Sequence, residues 1–196
     1  MAGMDARELA LEALLDRQGM VTQRLDRLVA ERSPSPADAG LAMELAYGVR
    51  RRQRTLDAVA RAFSRQPNRK GPQAVDEILR LGLYQLLLLQ RVPDFAAVSE
   101  AVSACQRRNP RRAGFVNAVL RNVIRQMEPA QDGPFPVTGD AIAITPDNYV
   151  PLRRQVLRSA EQNVVQFLGE SCSLPDDLAQ RWLARYGSLE RAFFQG

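Results

Sequence analysis

The sequence predicts an all-α protein: a bundle of about six to seven helices over residues 1–127, a connector over 128–172 and a short helical segment over 173–196. Three observations carry this expectation. Apolar residues recur at helical spacing up to Met127, Ser-Pro and Asn-Pro pairs mark helix starts, and the segment from Val75 to Leu89 is apolar on nearly every face. A helix apolar all round must be surrounded by others, so that segment is expected at the centre of the bundle.

Taken in order, Ala6, Leu9, Ala10, Ala13 and Leu14 form one stripe between Asp5 and Arg17, with Gly19 as its stop. Thr22 is placed to cap a second helix with Leu25, Leu28 and Val29 inside. Ser35-Pro36-Ala37-Asp38 combines an N-cap Ser, a Pro at the first helical position and an acid three residues after the cap. The helix it opens carries Leu41, Leu45, Ala46 and Val49, then Leu56, Val59, Ala60 and Phe63, and a bend is expected near Gly48 because the stripe falters at Arg52. Gly71-Pro72 opens the central helix, Val92-Pro93-Asp94 breaks it, and Val98, Ala101, Val102 and Cys105 mark the next. Asn109-Pro110 repeats the cap-then-Pro signal before the most regular stripe, Val116, Val119, Leu120, Val123 and Met127.

After Met127 the texture changes. Residues 128–136 hold three Pro and a Gly, and Ala141 to Ile144 is too short to decide between strand and linker, so 128–172 reads as loosely structured. Ser173-Leu174-Pro175-Asp176 restores a cap pattern ahead of Leu178, Trp182 and Leu183, and a last short helix is expected from Gly187-Ser188 to Phe194.

Composition excludes several classes. Hydrophobic residues at 45% and charged residues at 25% are those of a soluble globular chain. The apolar run Leu86 to Leu89 is far short of the roughly 20 residues a bilayer requires. Asp5, Glu8 and Glu12 interrupt the N-terminal segment, which therefore does not read as a signal peptide, and a cytoplasmic location without a membrane partner is expected. With two Cys and no His, the usual zinc sites, His-based triads and a disulfide framework are excluded, so neither a metal ligand nor a catalytic residue is assigned. Cys105 reads as a small buried hydrophobe and Cys172 as a residue of the connector.

Charge is unevenly spread. Residues 1–127 carry 21 Arg and Lys against 13 Asp and Glu, while residues 128–196 carry 6 against 9. Of the 27 basic residues 26 are Arg, whose planar guanidinium suits bidentate phosphate contacts and stacking on bases. Two runs stand out as candidate RNA contacts. Arg50-Arg51-Arg52 with Arg54 places Arg50 and Arg54 four apart, on one face of a continuous helix. Arg107, Arg108, Arg111 and Arg112 surround the Asn109-Pro110 helix start, where backbone N–H groups also attract a phosphate. Arg121 and Arg125 extend that patch. Asn117 is expected to tie a neighbouring loop's backbone, and Gly48, Gly82 and Gly114 to mark close helix packing.

Four strings carry a resemblance: residues 44–51 (ELAYGVRR), 78–86 (ILRLGLYQL), 98–102 (VSEAV) and 114–121 (GFVNAVLR). Over residues 5–127 they resemble the helical RNA-binding domain shared by the antitermination factor NusB and the N-terminal part of RsmB-type ribosomal RNA cytosine-5 methyltransferases. Ser173-Leu174-Pro175 through Gly187 is similar to the segment that leads into the methyltransferase domain of the latter. The resemblance implies an all-helical RNA-binding module, non-catalytic by itself, with Arg7 joining the basic surface. It implies S-adenosylmethionine only for a further domain, since no Gly-rich strand-turn-helix fingerprint occurs and no cofactor is expected on this chain. The implied partners are ribosomal RNA and a methyltransferase domain. The alternatives are a free-standing antitermination factor that binds RNA with an antitermination or ribosomal protein, and a purely protein-binding helical module.

Overall fold

A computed structural model describes residues 6–16, 18–65, 71–89 and 91–188. Among them run α1 (Ala6–Leu15), α2 (Val21–Arg32), α3 (Pro36–Arg51), α4 (Gln53–Phe63), α5 (Gln73–Leu88), α6 (Asp94–Arg108), a 3-10 turn (Pro110–Arg112) and α7 (Ala113–Gln126). Strands β1 (Gln131–Asp132), β2 (Ala141–Thr145) and β3 (Asn148–Pro151) follow, then α8 (Val164–Cys172) and α9 (Asp176–Tyr186). The fold is mainly helical, as the apolar spacing predicts. The helix expected to end at Phe194 lies outside the described residues. No helix among those described is long and apolar enough to cross a membrane.

The chain forms two compact units, residues 1–51 with 69–121, and residues 52–68 with 122–196. They do not follow the expected divide at Met127, because α4 belongs to the second unit and the division falls within α7. In the first unit α5 is central: it packs on α1, α3 and α6, and Val75, Ile78, Leu79, Leu81, Leu83, Tyr84, Leu86 and Leu87 are all buried. Two glycines permit the close approach. A Cβ on Gly48 would stand 2.0 Å from Cζ of Tyr84, and one on Gly82 would stand 2.9 Å from Leu120. Gly114 departs from expectation: it is exposed, with open space where a Cβ would go.

Local signals held in part. Ser35 starts α3 as expected, its Oγ accepting from the Asp38 N–H at 3.1 Å. Thr22 does not cap α2; the helix starts one residue earlier, and Gln23 accepts from the Met20 N–H at 3.3 Å. The long helix expected from Pro36 to Phe63 is two helices, broken at Arg52.

The second unit corrects the loose connector. Residues 131–151 form an antiparallel sheet of order β1-β3-β2, with Ile142 opposite Val150 and an irregularity between Ala143 and Thr145. Pro146-Asp147 supplies the turn between β2 and β3, and Ala141, Ala143, Phe135 and Phe167 form the core beneath. Helix α8 starts at Asn163, whose Oδ1 accepts from the Gln166 N–H at 3.0 Å. An Asn followed three residues later by Gln is a helix-start signature that reading the region as linker passes over. Ser173 does not cap α9; it ends α8 in the left-handed conformation (φ 60°), and its Oγ accepts from the Arg54 N–H at 2.7 Å.

Candidate nucleic-acid interface

Asn109 marks the end of α6, not the start of a helix: its N–H donates to the Cys105 carbonyl at 2.7 Å, and Pro110 begins the 3-10 turn that leads into α7. Arg107 and Arg108 therefore lie in the last turn of α6, where the negative end of the helix dipole favours cations. Arg111 and Arg112 precede the N-terminus of α7. The expected ring of four guanidiniums about one helix N-terminus is thus two pairs with different local roles.

The first pair closes on a carboxylate that sequence reasoning passed over. Glu8 of α1 accepts from Arg107 Nη2 at 3.1 Å, from Arg108 Nη1 at 3.2 Å and from Arg108 Nη2. Partial burial pushes the Glu8 carboxyl up, but hydrogen bonds and charge from Arg108 and Arg107 outweigh it, and its pKa is lowered. Arg108 is mostly covered in this clamp, whereas the Arg107 side chain remains 55% exposed.

The second pair has no carboxylate clamp among the described residues. Arg111 is exposed, and Arg112 lies over the Phe115 ring at 6.0 Å from its centroid. One turn apart on α7, exposed Arg121 and Arg125 are each steadied on their own helix: Arg121 Nε donates to Asn117 Oδ1 at 3.0 Å, and Arg125 Nη1 to Asn122 Oδ1 at 3.0 Å. Asn117 thus orients an arginine of the candidate surface, where a bond to a loop backbone was expected. The sequence places Asn117 and Arg121 at i and i+4, which is the signal for that pairing.

Arg7 lines one groove together with Glu8 and Arg107, while Arg50, Arg51 and Arg54 belong to α3 and α4. Arg7 donates through Nε to Gln85 Oε1 at 2.7 Å. Arg50 turns inward, to Glu77 at 3.0 Å and the Leu14 carbonyl at 2.7 Å. Arg51 is exposed at the end of α3. Arg54, on α4, pairs with Asp176 at 2.5 Å and donates to the Leu174 carbonyl at 2.6 Å. The helix break at Arg52 removes the shared face on which Arg50 and Arg54 were to bridge phosphates.

Neither cysteine is disposed for nucleophilic work. Cys105 is buried on α6, and burial pushes its thiol pKa up. Cys172 ends α8 against Leu168 and Ala179, and burial, opposed by the charge of Arg52, pushes it up to about 11.

The NusB family model matches residues 4–125, which span the helices of the first unit together with α4 and nearly all of α7. The chain belongs to the NusB family. Among curated proteins this NusB-family chain is 34% identical over 136 residues to the probable ribosomal RNA small subunit methyltransferase B of Bacillus subtilis, covering 67% of the chain and 30% of the relative. It is 41% identical over 126 residues to ribosomal RNA small subunit methyltransferase B of Thermus thermophilus, covering 63% and 31%. To the protein of that name from Vibrio cholerae it is 42% identical over 101 residues, covering 50% and 23%. The match therefore spans less than a third of each of these relatives.

Proposed function

We propose that this chain is an RNA-binding module that presents ribosomal RNA to a methyltransferase domain and contributes no catalytic residue itself. The observation that carries the reading is the group of guanidiniums along the α6–α7 segment of a NusB-family domain, with Arg107, Arg111 and Arg121 exposed and Arg112 half-buried over Phe115. Guanidiniums on a helical surface contact phosphates without regard to sequence, and Arg112 on Phe115 also offers a flat cation for stacking. The relatives named as ribosomal RNA methyltransferases support ribosomal RNA as the substrate presented.

The reading places S-adenosylmethionine on a domain other than this one. The three antiparallel strands build no parallel strand-to-helix crevice of the kind that takes such a cofactor, so methyl transfer is assigned to another domain.

Titration of the chain with single-stranded RNA at several salt concentrations tests the reading. Four phosphate contacts imply a log–log slope of about −3, at about −0.7 per phosphate. Changing Arg111 and Arg112 together to Ala is expected to weaken binding across sequences and to reduce the slope by about 0.7 for each phosphate no longer neutralised. Arg153→Ala with Arg154→Ala is the control, since Arg153 pairs with Glu128 and Arg154 packs over Phe63. Salt-independent or absent binding overturns the proposal, and equal losses from both pairs replace a defined site by diffuse charge.

A further inference from the structure

Helix α6 has one face in the core of the first unit and one in solvent. Val98, Ala101 and Cys105 are buried, whereas Phe95, Ser99 and Gln106, which fall on one stripe at the helical period, are exposed. Phe95 is 77% exposed, the most exposed large apolar side chain among the described residues. It stands in the first turn of α6; exposed Arg107 stands in the last turn, on the flank of the stripe and about 18 Å further along the axis. Exposed Arg111 follows in the 3-10 turn. Between the ring and these cations the stripe carries Ser99 and Gln106, which donate and accept hydrogen bonds without charge. Asp94 and Glu100 fall off it, each more than a quarter of a turn around the helix from Phe95. Residues 91–112 hold five arginines against those two acids, so the stretch stays net positive even after Glu8 is counted.

We propose that Phe95 is a stacking platform for one base of the bound RNA, whose phosphates Arg107 and Arg111 take at the other end of α6. The inference rests on the RNA-binding reading above and extends that surface along the helix. Single-stranded RNA frees the faces of its bases, and an exposed ring beside a basic track is the arrangement on which such bases stack. Every base has a π-face, so the contact adds affinity without choosing a sequence. It neutralises no phosphate, so it adds nothing to the salt dependence. A protein partner fits this surface less well. Faces that dock proteins present apolar patches of more than a few hundred Å². A wholly covered Phe contributes at most about 250 Å², and only exposed Pro93 and half-buried Val92 and Ala96 extend the apolar surface around it, while Asp94 and Ser99 beside it are polar and exposed.

Titration of the full chain with an unstructured RNA of about ten nucleotides, at several salt concentrations, tests the platform. Phe95→Ala is expected to bind about tenfold more weakly, the worth of one stacked base, with the salt slope and the melting temperature unchanged. Phe95→Tyr should keep the affinity, and Phe95→Leu, apolar but without a π-face, should lose it. Phe95→Trp reports stacking directly: its fluorescence should be quenched when RNA is added, with the unaltered chain, whose one tryptophan is Trp182, as the background. Unchanged affinity in Phe95→Ala, or full affinity in Phe95→Leu, overturns the platform and leaves the RNA-binding reading intact. A salt slope that falls along with the affinity also overturns it, since the ring would then hold the basic surface in place and not a base. Absence of salt-dependent RNA binding by the unaltered chain overturns both. A concentration-dependent dimer that is lost in Phe95→Ala, with RNA affinity unaffected, assigns the ring to a second copy of the chain and overturns the stacking proposal. The quenching of Phe95→Trp decides the matter even where Phe95→Ala folds poorly, and its absence overturns the platform.

Discussion

Arg54 and Arg111 both stand near the start of a helix and both come from dense arginine runs, yet their surroundings give them opposite work. In the second unit, α4 lies against the C-terminal end of α8, whose last carbonyls lack intrahelical partners. Thr55 Oγ donates to the Glu170 carbonyl at 2.5 Å and Arg52 Nη1 to the Ser171 carbonyl at 3.2 Å, while Arg52 Nη2 reaches the Ala143 carbonyl of β2. Arg54 lies over Gly169, where a Cβ would stand 2.8 Å from its Cζ, and donates to the Leu174 carbonyl. Arg61 meets the Glu170 carboxylate at 3.4 Å. These arginines cap and join elements. In the first unit the α6–α7 arginines meet no orphan carbonyls among the described residues; Glu8 holds two of them, Arg112 lies over Phe115, and Arg111 and Arg121 are exposed. An arginine run thus reports positive charge, whereas its use depends on which acceptors the fold brings within reach.

This contrast breaks most visibly where an inward arginine of the first unit is tested. Glu77 is 2% exposed, and its Oε1 accepts from Arg50 and Arg80, each at 3.0 Å. Glu77→Ala should cost about 3 kcal/mol, because it removes the buried carboxylate that the Arg50 and Arg80 guanidiniums share. Urea denaturation measures this; a loss below about 1 kcal/mol would mean that both arginines rotate out to water at little cost.

Next in size, Arg54→Ala should lower stability by about 2 kcal/mol through the Leu174 carbonyl and Asp176 left without their donor. RNA affinity should stay within about twofold, since one charge fewer at a site off the interface changes little. A large affinity loss without loss of stability would reverse the roles assigned to the two regions.

A smaller effect comes from the Glu8 clamp. Its lowered pKa means that the stabilisation is whole above the ordinary carboxyl value of 4.5 and disappears as pH falls through the lower folded value. Melting curves across that acid window should show the loss in the unaltered chain and a shallower acid slope in Glu8→Gln. At neutral pH Glu8→Gln also frees Arg107 and Arg108, so RNA affinity should rise; a fall would make Glu8 an organiser of the phosphate contacts and not their competitor.

Smallest of all is Arg51→Ala, at the exposed end of α3, which should change stability by no more than about 0.5 kcal/mol. An RNA effect as large as that of the Arg111 and Arg112 pair would extend the interface to α3.

The helices of the first unit were legible because their apolar residues repeat with the helical period and their starts carry capping residues, as at Ser35 and along Val75 to Leu88. The sheet was not, because β2 and β3 are five and four residues long and their Pro- and Gly-bearing turns resemble linker composition. Of the candidate site, the arginines of the α6–α7 segment were legible as a cluster. Glu8 was not, because it lies about a hundred residues away in the chain and only packing brings it to Arg107 and Arg108.

What the sequence determined by itself is therefore periodic and local: helix spans, the central apolar helix, the excess of arginine before Met127, and the strings that mark the NusB family. What only the tertiary structure decided is pairing at long range. It separated Arg50 from Arg54 by ending a helix at Arg52, gave Arg54 to α8 and α9, and set Glu8 against two arginines of α6. The physical reason is that helical period acts between residues three and four apart, whereas the partner of a guanidinium is whichever acceptor packing leaves unsatisfied nearby.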